Sequence, residues 1–146
     1  MTCFWKGILN LLDAGEINRV LGTHFKDKPS AKRFVKALKG KNVPINTIKH
    51  NGITLTKIDS DDCYNRIKSI NPKNIGNGYL CSGCEPIFFL ISYLFEYNIK
   101  HVYCGSIILY TNSNSKGELV FGSNQSHFYS IERIINPSNS AILQNP

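Results

Sequence analysis

Two residues of the kind that cooperate in nucleophilic catalysis stand far apart in this sequence: Cys3, just inside an amphipathic segment, and His127, at the start of a late strand-like run. A thiol attacks a carbonyl as its thiolate, and the free amides and partial positive charge of a helix N-terminus favour that anion. Thr2 is placed to cap such a helix, because its side-chain oxygen accepts from a first-turn amide. His127 would then be the base. By position alone, a small buried cysteine and a surface strand histidine are the better fit.

A second constellation competes with the first. Cys81, Cys84, His101 and Cys104 spell C-x2-C-x16-H-x2-C, four ligand types at spacings that suit tetrahedral zinc. Between the two pairs runs an almost wholly apolar segment, 87–97, roughly 16 Å long if helical, so the pairs meet only if the chain folds back tightly. Structural cysteines are the plain alternative, and a redox C-x-x-C lacks the preceding strand expected of it. Zinc at this set would make the protein a small basic zinc-binding module for nucleic acid or protein, with Cys3 idle. His24 and His50 lie in polar loop sequence and are expected at the surface. Trp5, two residues after Cys3, either anchors the core or walls a narrow substrate channel.

The elements that must position these residues follow from periodicity and punctuation. Phe4, Ile8, Leu11 and Leu12 predict a helix over 2–12. Ile17, Val20 and Leu21 predict a short second one closed by Gly22. Ser30 caps a third, with Ala31, Phe34, Val35 and Leu38 on one face and Gly40 as its stop. Pro44 and the Asn51-Gly52 turn dipeptide break 43–58 into a small edge hairpin or a loop. Ser60, Asp61 and Asp62 open a helix that stops before Pro72, and 72–78 is a turn-rich connector. Pro86, after Glu85, starts a helix apolar almost all round, which predicts a central element buried on several sides. Strands follow at 99–104, 107–110, 119–121 and 127–131, with 112–117 as a hairpin turn between the second and third. The expected class is α+β: N-terminal helices and a central buried helix packed on a C-terminal antiparallel sheet.

Length and composition suit that arrangement. With 146 residues, 42% hydrophobic and 18% charged, the chain reads as a single domain over 1–136 with a frayed tail from 137. A core of this size needs neither disulfide nor metal. The balance of 17 basic to 10 acidic residues gives +7 without choosing an acidic partner. Lys26, Lys28, Lys32, Arg33, Lys36, Lys39 and Lys41 face one acid, Asp27, and form either a solvated helix face or an acidic-partner site. The stripe lacks the interleaved aromatics of a single-strand nucleic-acid surface. The longest apolar stretch, 86–94, is too short for a bilayer. No charged leader with an apolar segment opens the chain, and the cysteine count is odd, so a monomeric cytoplasmic protein with free thiols and no membrane partner is expected. Asn, Ile and Lys are abundant and Ala scarce, the bias of an AT-rich genome.

Cys3-Phe4-Trp5-Lys6-Gly7-Ile8-Leu9 resembles the nucleophile segment of papain-like cysteine proteases, in which a cysteine opens a helix and aromatics follow closely. Residues 80–103 and His127-Phe128-Tyr129-Ser130-Ile131 resemble the ovarian tumour-domain (OTU) deubiquitinases: a glycine-containing turn, a glutamate-started apolar helix, an Ile-rich strand, then a histidine followed by an aromatic. The matches occur in the family's order, and 13–78 is unmatched. The resemblance implies a papain-like fold and hydrolysis of the isopeptide bond that joins ubiquitin, or a ubiquitin-like modifier, to a lysine. It implies Cys3 as nucleophile, His127 as general base and no cofactor. Two departures bear on the site. The family's Asp-Gly-Asn-like loop, whose amides help hold the oxyanion, is replaced by Met1-Thr2, so a second donor must come from another loop. Where the family has Asp or Asn two positions after the histidine, this chain has Tyr129, on the same strand face as His127; Asn124 in the preceding turn is the other orienting residue. Some viral proteases of this type are similarly reduced, so the resemblance extends to a viral member acting through a bare dyad in the host cytoplasm.

Overall fold

The computed structural model describes residues 3–136, so the expected Thr2 cap and the tail from Pro137 lie outside the described residues. Helix α1 (Cys3–Leu11) buries Phe4, Trp5, Ile8 and Leu9. Helix α2 (Ala14–Leu21) is held at its start by a capping box: Asp13 accepts the Glu16 amide at 2.8 Å, and Glu16 accepts the Asp13 amide at 3.0 Å. It ends, as expected, at Gly22, whose φ of 67° is the left-handed turn that favours glycine. Helix α3 (Ala31–Lys39) runs from the Ser30 cap to Gly40 with Phe34, Val35 and Leu38 buried.

Helix α4 (Lys57–Lys68) begins earlier than expected. Thr56 is the cap, accepting the Asp59 amide at 3.1 Å, and Ser60 sits inside the helix with its hydroxyl donating to the Ile45 carbonyl at 2.8 Å. Both residues carry a cap-competent hydroxyl, but Ser60 is buried and has a partner in another segment. The expected connector at 72–78 is a 310 helix, Pro72–Asn77. Helix α5 (Pro86–Phe95) is the central element: Pro86 to Ser92 and Phe95 are buried, and Glu85 caps it by accepting the Ile87 amide. Among the described residues no helix is long and apolar enough to cross a membrane.

The strands β1 (Lys49–His50), β2 (Ile53–Thr54), β3 (Asn98–Tyr103), β4 (Ser106–Thr111), β5 (Gly117–Ser123) and β6 (Phe128–Ile135) form one sheet in the order β2-β1-β4-β3-β5-β6. The fold is α+β, and β1 and β2 make the small edge hairpin around Asn51-Gly52. The sheet is mixed, which corrects the antiparallel expectation: β3 pairs with β5 in parallel. Residues 112–116 are therefore a crossing segment. It is tied over the junction of α5 and β3 by the Asn98 side chain accepting the Asn112 amide at 2.8 Å, the Asn112 side chain donating to the Ser92 carbonyl at 2.9 Å and the Lys116 amide donating to the Glu96 carbonyl at 2.9 Å.

Parallel pairing has a positional consequence. It registers Tyr103 with Ser123, so the turn after β3 and the turn after β5 emerge at the same end of the sheet. Helix α1 lies along β6. A Cβ on Gly7 would meet the Phe128 ring, and Leu11 accepts from Arg133, so the helix N-terminus points to the start of β6. Phe4, Phe88, Phe121 and Phe128 pack ring against ring between these layers within one core.

Candidate active site

Where α1 begins and the turns after β3 and β5 end, the surface opens into a cleft of about 290 Å³. Its walls are Cys3, residues 79–81, 103–104 and 123–128. Cys3 is half-buried and His127 exposed, and both line the cleft. His127 precedes β6 instead of starting it, in a four-residue turn organised by Asn124. The Asn124 side-chain oxygen accepts the amides of Ser126 at 3.0 Å and His127 at 2.9 Å, and the Asn124 amide donates to the His127 carbonyl at 2.9 Å. Asn124 thus fixes the backbone of His127. Tyr129 acts on the ring: the two rings stack 19° apart in plane with centroids 5.7 Å apart.

The wall at 79–84 is built on Glu85, which is fully buried. Its carboxylate accepts the Tyr79 hydroxyl at 2.6 Å and the amides of Ser82 and Ile87 at 3.0 Å each, while its own amide donates to the Tyr110 hydroxyl at 2.9 Å. Burial holds the Glu85 carboxyl above the usual range. His50, expected at the surface, is half-buried and bonds the Gly83 carbonyl through Nε2 at 2.9 Å, bracing the same loop. His24 is exposed.

Trp5 does not wall the cleft. It is fully buried, packed on Phe4 and Tyr79, because its place on α1 turns it inward behind Tyr79. The four residues of the zinc spacing are not gathered: among the described residues no three His, Cys, Asp or Glu side chains converge on a metal position. Cys81 is buried, Cys84 and Cys104 are exposed, and His101 is sealed in the sheet beneath α5. Cys81 and Cys104 line the cleft and Cys84 does not. Burial pushes the Cys63 thiol up to about 12 and raises those of Cys81 and Cys84, so these three keep their protons. Their nucleophilicity is correspondingly low.

One pair in this region escaped sequence reasoning. His101 Nε2 lies 2.7 Å from the Ser123 hydroxyl, and Ser123 lines the cleft. Burial pushes the His101 imidazole from 6.5 down to about 4, so it is neutral near pH 7. The signal was non-local: only the parallel register, which sets His101 against Phe121 two residues before Ser123, brings the two together.

Comparison of the chain with protein-family models, with curated proteins and with solved structures gives no match.

Proposed function

We propose that the cleft is the active site of an OTU-like, papain-type cysteine protease that hydrolyses the isopeptide bond between the C-terminal glycine of ubiquitin, or a ubiquitin-like modifier, and a lysine amine. One observation carries the reading: Cys3, at the N-terminus of α1, and His127, in the turn before β6, line the same cleft. In the reaction His127 takes the Cys3 proton and the sulfur bonds to the carbonyl carbon, whose π pair moves onto oxygen. Collapse breaks the carbon–nitrogen bond and the amine leaves with the proton from His127. Water, deprotonated by His127, then cleaves the thioester, and the proton returns to sulfur. Leu80, 88% exposed at the rim, offers an apolar contact to the modifier's tail. All five cysteines are unpaired, which fits a reducing compartment such as the cytoplasm.

Ubiquitin bearing a C-terminal electrophile tests this reading. The native protein forms a covalent adduct, Cys3→Ala forms none, and His127→Ala forms it slowly. An adduct that survives Cys3→Ala overturns the nucleophile, and no adduct between the native protein and ubiquitin or its relatives overturns the protease reading.

A further inference from the structure

We infer that Ser123 donates its hydroxyl proton to the oxyanion formed when Cys3 attacks, held in that orientation by His101 carrying its proton on Nε2. The inference rests on the protease reading and adds the donor that the departures around Cys3 leave open. Two proton arrangements join His101 to Ser123. In one, the serine hydroxyl donates to Nε2, and the imidazole proton sits on Nδ1. That atom is buried and has no hydrogen-bond partner, so an N–H donor would be orphaned inside the protein. Buried N–H groups without acceptors are rare because nothing replaces the water they lose. In the other arrangement Nε2–H donates to Ser123 Oγ, and only a lone pair on Nδ1 goes unmatched. This second arrangement is the one the burial favours.

Its consequence falls in the cleft. The Ser123 oxygen then accepts from His101, and among the described residues its own proton has no acceptor, since His101 is the one partner of that hydroxyl there. Ser123 ends β5 and lines the cleft with Cys3, so the proton is free to meet an oxygen that enters there. The surroundings of His101 are Phe88, Tyr103 and Phe128, with no charged side chain among its ring contacts. A neutral imidazole is therefore a positioning residue, and Ser123 the catalytic one. When the Cys3 sulfur bonds to the carbonyl carbon, the electron pair displaced onto oxygen accepts the Ser123 proton as a hydrogen bond. The Cys3 amide, at the start of α1, is the second donor. Such a donor acts where charge develops, so its loss lowers kcat more than it raises KM.

Hydrolysis of ubiquitin carrying a C-terminal aminocoumarin amide, read beside alkylation of Cys3 by iodoacetamide, tests the inference. Alkylation displaces iodide and forms no oxyanion, so it reports the thiol alone. Ser123→Ala is expected to lower kcat on the order of 100-fold, with KM within about threefold and the alkylation rate unchanged; Ser123→Thr, which keeps the hydroxyl, retains most of the activity. His101→Gln, whose amide can still donate to Ser123, loses less than His101→Phe. Thermal melts establish that each variant is folded, and the threonine and glutamine variants keep the test open if the alanine or phenylalanine variant is not. Turnover that depends on Cys3 but survives Ser123→Ala, or a parallel loss of alkylation and turnover, overturns the role of Ser123 alone. Turnover that survives Cys3→Ala, or its absence in the native protein, overturns the protease reading and this inference with it.

Discussion

Tyr129 and Gly122 face each other across β5 and β6, and a Cβ on Gly122 would come within 2.5 Å of the tyrosine ring. The glycine is there because the phenol lies flat over it, and the same ring stacks on His127. An orienting role therefore passes through ring contact, where a carboxylate or amide would act through a hydrogen bond. Gly122→Ala separates orientation from folding. Tyr129 is 40% exposed and can swing outward, so stability should change by less than about 1 kcal/mol. The His127 stack is lost, and if His127 is the proposed base, its misplacement by about 1 Å costs up to about 100-fold in rate. The His127 ring-proton resonances should shift as the aromatic ring current goes; unchanged resonances would show that the stack does not exist in solution. Leu80 makes a complementary case at the rim. With 88% of it exposed, Leu80→Asp should leave the urea midpoint unchanged and raise KM for the ubiquitin substrate with little change in kcat, because apolar contact to a remote tail is uniform binding. A fall in kcat alone would place Leu80 outside the binding path.

At the scale of elements, β3 decides how the protein responds to acid. His101 sits at the middle of the sheet, and burial alone moves its imidazole from 6.5 to about 4. Between those values the unfolded chain binds the proton and the native state does not. The stabilisation is complete above pH 6.5 and is lost as pH falls through about 4, by up to about 3 kcal/mol. Urea midpoints from pH 7 to 4 should fall more steeply for the native protein than for His101→Phe; equal slopes would contradict the burial of a neutral ring. The central position of β3 is also where local sequence reading stopped working. Ser30, Gly22, Pro86 and Asn51-Gly52 announce their elements because caps, breakers and turns act over a few residues. The segment that crosses to make the β3–β5 pairing is tied by hydrogen bonds of Asn98 and Asn112 across the α5 junction, and a turn-rich stretch such as 112–117 reads the same whether it closes a hairpin or crosses a strand end. Cys3 and His127 were legible as residue types, and their placement on one cleft rests on the direction in which α1 lies along β6. Ser123 and Glu85 were illegible as site residues because their partners lie in other elements. Helix α4 shows the same limit locally. Thr56→Ala should cost about 1 kcal/mol as a lost cap, measurable as a lower urea midpoint, whereas an unchanged midpoint would return the helix start to Ser60.

For the whole molecule, the decisive question is what keeps α1 and β6 in register, since each brings one member of the Cys3–His127 pair. Gly7 allows the close approach, and Arg133 locks the far end. Its guanidinium donates to the Leu11 carbonyl at 3.1 Å and pairs with the Glu16 carboxylate, which also accepts the Tyr97 hydroxyl at 2.8 Å and closes the capping box of α2. One carboxylate, 3% exposed, thereby joins α2, β6 and Tyr97, the residue before β3. Arg133→Ala leaves that charge without its cation. Because the Arg133 side chain is 28% exposed, water replaces part of the loss, and the cost should be about 2–4 kcal/mol, below the 3–5 expected of a fully buried pair. A domain of this size has on the order of 5–15 kcal/mol to lose, so the fold survives but α1 is no longer held rigidly against β6. On the proposed mechanism adduct formation with the ubiquitin electrophile should slow, since it uses Cys3 and His127 together, while iodoacetamide labelling of Cys3 should not slow in proportion. The exposed pair Lys57–Asp61 serves as the internal contrast: Lys57→Ala should alter neither the urea midpoint nor the adduct rate. If Arg133→Ala leaves both measurements where Lys57→Ala leaves them, the alignment of α1 and β6 comes from core packing alone, and the Glu16–Arg133 tie is incidental to it.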